Sequence, residues 1–328
     1  MKKLILLFSI LLLTSVSYAD NTLPGVEAFI DEMHQKHGFD RDKLHHLFER
    51  VEVKQSILDA ISRPAEKSKP WYDYRKIFIT DQRIQGGVDF WMQHQQTLAN
   101  AEKTYGVPAE IILAILGVET RYGGNVGKYR VIDALSTLAF RYPPRSAFFR
   151  SELEHFLLLT REEGKSLLAP VGSYAGAMGL GQFMPSSYRR YAVDFDQDGH
   201  RDIWENPVDA IGSIANYLKL HGWIANESIV HRTKFNGDVP AELIELGYKP
   251  SISREQLSAV GVSLDDVPAG DDVLAIISLT QQDGEEYWLA RQNFYSITRY
   301  NHSRMYAMAV TQLAQLIRAQ YEQKNEHN

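Results

Sequence analysis

The sequence predicts a mainly α fold, α+β in detail: a helical body interrupted once by a small β-containing insertion. Three observations carry that prediction. Apolar residues recur at three- and four-residue spacing through most of the 328 residues. One stretch, 236–298, changes texture, with β-branched and apolar residues over 273–280, a turn signal at Asp283-Gly284 and a return over 287–290. The composition, 44% hydrophobic and 23% charged, is that of a globular chain long enough to bury one large or two modest cores. The absence of cysteine excludes a disulfide scaffold, a thiolate metal site, a cysteine nucleophile and a lipid-modified N-terminal cysteine. With 35 basic against 41 acidic side chains, net −6, the chain lacks the basic excess of a nucleic-acid binder.

Residues 1–19 divide into a basic start at Lys2 and Lys3, an apolar run from Leu4 to Leu13 and a small-residue end before Asp20. That is the pattern of a cleavable secretory signal peptide, since the run is about half the ~20 residues needed to span a bilayer. The mature chain then carries 33 basic and 41 acidic side chains, and no later stretch is long and apolar enough to span. The expected location is an extracytoplasmic space, where ATP and NAD chemistry are out of place and the cell wall is near.

Residues 20–106 read as an N-terminal helical region, with Val26, Phe29, Ile30 and Met33 on one face and a loop through Pro64, Pro70 and Trp71. Residues 107–235 form the next unit. It opens with Pro108 at a plausible first helical position, followed by a segment apolar on nearly every face as far as Val118, so the helix is buried. Further helices are expected over 146–163 and 207–218, separated by a glycine-rich segment, 172–181. After the insertion, residues 299–328 close the chain with a helix over about 303–322.

Three constellations could carry chemistry. Glu119 ends the apolar run; a carboxyl at the mouth of such a helix loses hydration, which favours its protonated form and suits a general acid. The alternative is a glutamate paired with Arg121 or another base at a helix end. The segment from Gly172 to Tyr188 combines glycines, for close backbone approach, with Ser173, Gln182 and tyrosines that offer hydrogen bonds and flat faces to sugar rings. It lacks the Gly-Lys-Ser/Thr of a phosphate loop, and it also reads as a tight turn between helices.

The third constellation, Asp194 to Glu205, fits a twelve-residue calcium loop. Asp194, Asp196 and Asp198 stand at positions 1, 3 and 5, Gly199 at 6, His200 at 7 through its carbonyl, and Glu205 at 12. A single such loop points to a structural Ca2+ rather than a sensor; a solvated acidic turn is the alternative. His34, His37, His45 and His46 lack the His-Glu-x-x-His spacing and read as solvent-facing.

Taken together, 117–123 (GVETRYG), 173–179 (SYAGAMG), 181–187 (GQFMPSS) and 299–301 (RYN) closely resemble the membrane-bound lytic murein transglycosylase B family over most of the mature chain. The resemblance implies a lysozyme-like helical core with an additional helical domain, and cleavage of the MurNAc–GlcNAc β-1,4 bond with formation of a 1,6-anhydro product. It implies Glu119 as sole acid and base, Ser173 and Gln182 near the cleaved bond, and Tyr217, Tyr300, Asn301 and Tyr306 along the groove. Tyr74 and Arg145 are further implied contacts, and Asp209, beyond the twelfth loop position, is the implied closing calcium ligand where spacing selects Glu205. Peptidoglycan glycan strands are the implied partner, along with cell-wall synthesis or hydrolysis complexes. Without the cysteine of the lipid-anchored relatives, a soluble or peripheral periplasmic form is expected. The competing readings are a hydrolytic muramidase and a non-catalytic, calcium-stabilised peptidoglycan-binding protein.

Overall fold

The computed structural model describes residues 23–63, 69–235, 239–269 and 273–326; the expected signal peptide lies outside them. Six helices precede the central one: α1 (Val26–His37), α2 (Arg41–Phe48), α3 (Gln55–Ser62), α4 (Trp71–Phe78), α5 (Asp81–Gln93) and α6 (Gln95–Tyr105). Their boundaries follow local chemistry. Asp40 and Thr80 accept the backbone N–H of Lys43 and Arg83 to cap α2 and α5, and Gly106, at φ 72°, turns the chain out of α6. Trp71 is not part of the expected loop. Pro70, in extended conformation, stands just before α4, and Trp71 opens that helix fully buried.

Helix α7 (Ala109–Thr120) starts one residue later than expected, with Pro108 as its cap. It is buried on every side except at Glu110 and Glu119, and it packs against α5 and α6. After it come strand β1 (Tyr129–Arg130) and helix α8 (Val131–Arg141), neither of which was anticipated. Every residue of α8 from Val131 to Ala139 is buried, the polar Asp133, Ser136 and Thr137 included, and Val131, Ile132 and Thr137 are poor helix formers. A one-turn 3-10 helix (Pro143–Arg145) leads into α9 (Ser146–Glu162), and strand β2 (Val171–Gly172) pairs antiparallel with β1. Helix α10 (Pro185–Tyr191) is capped by a buried side chain from α9: Glu152 accepts the backbone N–H of Ser186 at 2.9 Å and its hydroxyl at 2.7 Å. Helix α11 (Pro207–Leu220) follows an Asn206 cap and packs against α6 and α7.

The β-containing part is a four-stranded antiparallel sheet in the order β3 (Val230–Thr233), β6 (Gly284–Ala290), β5 (Val273–Gln281), β4 (Ile252–Ser253). Helices α12 (Ala241–Glu245) and α13 (Arg254–Ala259) lie between its strands in sequence. The sheet starts at Val230, ahead of the expected insertion at 236–298, and helix α14 (Gln292–Tyr300) already occupies the end of that range. Strand β5 has no solvent face along most of its length. Ala275, Ile277 and Leu279 join the main helical core, while Leu274 and Ile276 join a small separate cluster with Leu257 and Leu289. The two-residue period of a strand thus divides its side chains between two cores. Helix α15 (Arg304–Glu326) closes the fold, running longer than expected and packing on α4, α5, α7 and α14. Among the described residues, no helix is long and apolar enough to cross a membrane.

Candidate active site

Glu119 sits in the last turn of α7, and its placement depends on how that helix stops. Arg121 and Tyr122 are both left-handed, at φ 53° and 59°, and the N–H of Tyr122 reaches back to the carbonyl of Leu116 at 3.1 Å. Non-glycine residues there cost roughly 1–2 kcal/mol each, so something must hold them. The Tyr122 side chain does so. Its hydroxyl donates to the Arg83 carbonyl at 2.7 Å, and its ring lies in a slot that exists because three neighbours lack a side chain. A Cβ on Gly117 would stand 2.5 Å from the Tyr122 oxygen, one on Gly87 2.7 Å from it, and one on Gly86 2.9 Å from the ring. Burial pushes the Tyr122 phenol well above its usual range, so the donor is permanent. Arg83, itself buried, donates to the carbonyls of Gly117 at 2.7 Å and Ile77 at 2.6 Å, tying α7 to the end of α4. Thr120 donates to the Leu180 carbonyl at 2.8 Å and so joins the helix end to the glycine-rich segment.

That segment forms one wall. Gly179, at φ 70°, passes so close to the Ile203 carbonyl that a Cβ would lie 2.5 Å from it. Gly181 gives the Tyr300 hydroxyl room to donate to its own carbonyl at 2.5 Å. Gln182 is left-handed at φ 53°, an unfavourable conformation for glutamine, and its amide donates to the carbonyls of Gly179 at 2.9 Å and Val126 at 3.2 Å. The Ser173 hydroxyl accepts the N–H groups of Ala175 and Ala177, which leaves its proton available to a ligand.

The tyrosines beside Glu119 come from α11, α14 and α15. The Tyr306 hydroxyl donates to Glu119 Oε1 at 2.6 Å. Tyr300 stacks beside Tyr306 with ring centres 6.5 Å apart, and Tyr217 lies 4.8 Å beyond Tyr300. Burial, and after it the charge of Glu119, pushes both Tyr300 and Tyr306 well above the normal phenol range. The hydroxyls of Tyr217 and Tyr300 are bonded to the backbone, whereas Tyr306 directs its proton at the carboxylate.

The structure thus brings Glu119, Tyr306, Tyr300 and Tyr217 together. Tyr74 is buried between Trp71 and Phe78, close enough for its charge to act on Tyr306. Asn301 is exposed just after α14. Arg145, also exposed, lays its guanidinium 4.4 Å over Phe148, and none of its described contacts is with Glu119 or its tyrosines.

The acidic loop is a separate feature. Carboxylate oxygens of Asp194, Asp196 and Asp209 all lie within 4.8 Å of one another. Asp209 is fully buried in the first turn of α11, where it accepts the N–H groups of Phe195 and Asp202, each at 2.7 Å. Burial raises its carboxyl above the usual range, those two donors lower it, and the charges of Asp196 and Asp194 raise it again. Asp194 accepts the N–H groups of Asp198 and Gly199, and Gly199 needs its φ of 95° to make that turn. Calcium takes about six to eight oxygen ligands, and these three carboxylates could supply part of such a set. Asp198 spends one oxygen on the His200 N–H. Glu205 is exposed and, with Asp198, stands outside the three-carboxylate group, so the geometry favours Asp209 over the position that spacing selects.

The transglycosylase SLT domain profile matches residues 21–315, nearly all of the chain. The chain belongs to this family. This SLT-domain chain is 45% identical, over 309 residues, to membrane-bound lytic murein transglycosylase B of Escherichia coli K12, covering 92% of itself and 84% of that protein. It superposes with a TM-score of 0.85 on the crystal structure of the soluble lytic transglycosylase SltB1 from Pseudomonas aeruginosa, at 54% identity, covering 90% of this chain and 99% of that one. A third match is the Escherichia coli lytic transglycosylase Slt35 in complex with calcium, at 43% identity and TM-score 0.83, covering 91% and 94%. What the sequence alone did not yield in this SLT-domain site is the support behind Glu119: Arg83, Thr120 and Tyr122. The signal was present in Gly86-Gly87, a glycine pair inside a helix, which costs about 1 kcal/mol per residue against alanine and so marks a close approach.

Proposed function

We infer that this chain is a lytic transglycosylase of peptidoglycan in which Glu119 is both acid and base. The observation that supports the assignment is the 2.6 Å hydrogen bond from Tyr306 to a carboxylate at the end of a buried helix, in a chain of this family. Glycosidases of the usual type need two carboxylates flanking the bond. Here the carboxylate whose charge acts on both Tyr300 and Tyr306 is that of Glu119, and the other polar groups on the walls are hydroxyls and an amide. One group must then serve twice. Protonated Glu119 gives its proton to the oxygen bridging MurNAc and GlcNAc as that bond breaks. The resulting carboxylate takes the proton of the muramyl 6-hydroxyl as this oxygen attacks the anomeric carbon, closing a 1,6-anhydro ring and returning Glu119 to its starting form. Tyr306 holds one carboxylate oxygen and so orients the group. The faces of Tyr300 and Tyr217 stack on sugar rings, with Ser173 and Gln182 supplying hydrogen bonds.

The SltB3 enzyme of Pseudomonas aeruginosa, 31% identical with a TM-score of 0.77 over 89% of this chain and 79% of its own, has been solved with NAG-NAM-pentapeptide. Peptide-bearing strands of that kind are the proposed substrate here. Asp194, Asp196 and Asp209, with the carbonyl of His200, would hold a structural calcium that fixes the start of α11 against the acidic loop. Export to the periplasm by the leader at 1–19 completes the reading and brings the enzyme to its substrate.

The test is mass spectrometry of the soluble products from murein treated with wild type and with Glu119→Gln, which keeps the shape of the side chain and loses the acid. Anhydro-muropeptides from wild type and a fall of about 10²–10⁴-fold in the variant are expected. Products carrying a reducing-end muramic acid would make the protein a hydrolytic muramidase instead.

A further inference from the structure

We propose that a cleft at the far end of the tyrosine row is a subsite for the carboxylates of the peptidoglycan stem peptide, with Arg190 and Arg299 as its anion-binding groups. This rests on the peptidoglycan reading and adds to it the part of the substrate that is not sugar.

The cleft, about 750 Å³, opens between α9, α10, α11 and the end of α14. Its lining contains three arginines and three histidines and no aspartate or glutamate, on a chain that carries six more acids than bases. Such a surplus of like charge in one cavity raises the local concentration of anions. Arg189 is already matched, since its guanidinium binds both oxygens of Glu162, at 2.7 and 3.1 Å. Arg190 and Arg299 are not matched. Among the described residues their partners are aromatic rings only, Tyr191 at 5.4 Å and Tyr295 at 5.9 Å. Guanidinium groups present paired donors that fit a carboxylate, and two of them face the same space here.

His221 senses that field. Its ring stacks on Tyr217 at 4.0 Å, and its pKa falls below the ordinary value through burial first and then through the charges of Arg299 and Arg190, against the pull of the Tyr217 carbonyl. The charges of the arginine pair thus reach the space that His221 lines.

The cleft also lies on the right path. Tyr217 lines it and touches Tyr300, which stacks beside Tyr306, which in turn donates to Glu119. A muramyl residue bound at Glu119 carries its peptide as a branch, and the acidic groups of the branch need cations within reach. Ser187 on the same wall supplies a neutral donor for a peptide carbonyl.

Binding by the Glu119→Gln protein, which cannot turn over, isolates this claim. The ligands are GlcNAc-MurNAc-pentapeptide and the same compound with its peptide carboxyls converted to amides. The acid form is expected to bind about tenfold more tightly. The R190A/R299A substitutions on that background are expected to remove the preference, and R190K/R299K to retain part of it. Equal affinity for the two ligands, or a preference that survives R190A/R299A, overturns the proposal. Loss of both ligands alike in the variant also overturns it, because the arginines would then be supporting the sugar site. Failure of the transglycosylase reading would appear in the products from murein and not in this difference of affinities.

Discussion

The last turn of α7 and the first turn of α11 each carry a carboxylate of the core, and their surroundings are opposites. Asp209 lies where a helix begins, the end that favours negative charge, and it is joined by two more carboxylates and two backbone donors. Glu119 lies where a helix ends, with a phenol on one oxygen and aromatic faces around it. The first arrangement concentrates charge that a divalent cation can neutralise; the second sets a carboxylate among phenol rings. Both groups are carboxylates, so the division of labour between a bound ion and a transferred proton is written in the neighbours.

Calcium should separate the two regions most strongly. Saturating calcium, at about 1,000 times its dissociation constant, would add about 4 kcal/mol to the folded state. A rise in Tm of several degrees on adding calcium, abolished in Asp209→Asn and intact in Glu119→Gln, would establish the contrast; a Tm indifferent to calcium in the wild type would break it. The Tyr306→Phe change comes next in size. It removes one hydrogen bond to a charged group, about 1.5–3 kcal/mol, so kcat/KM on murein should fall roughly 10- to 100-fold while the thermal response to calcium stays as in wild type. Unchanged activity would mean that Glu119 needs no such support.

The smallest effect concerns acid. Because the folded protein holds His221 below its ordinary value of 6.5, the unfolded chain binds the proton more readily. Stability contributed by the neutral ring is therefore present above pH 6.5 and is lost as the pH falls toward the folded-state value. Thermal melts of wild type and His221→Gln between pH 7.5 and about pH 5 should converge on the acid side, and parallel curves would count against it.

The two regions were also unequally visible in the sequence. The apolar run before Glu119 and the spaced aspartates of the loop both follow from local rules, one from helix burial and the other from ligand spacing. Asp209 escapes the spacing rule because it comes from the following helix, which folds back on the loop. Arg83 and Tyr122 were missed for a related reason. The bond from Arg83 to Gly117 spans 34 positions, and no local pattern announces it. Helix α8 was missed although Asp133, Ser136 and Thr137 stand at helical spacing, because it opens on β-branched residues that are poor helix formers. Arg83 and Tyr122 answer to partners distant in the chain, whereas the visible elements answer to neighbours within a turn or two.

Strand β5 has one further consequence. With Ala275, Ile277 and Leu279 in the helical core and Leu274 and Ile276 in the small cluster, neither body can open without stripping the other of part of its lining. Such a shared partition couples local openings, so the amides of this strand belong among the slowest to exchange with heavy water, and the two cores behave as a single cooperative unit under denaturant. What looks in sequence like an accessory insertion is the seam along which the molecule is closed.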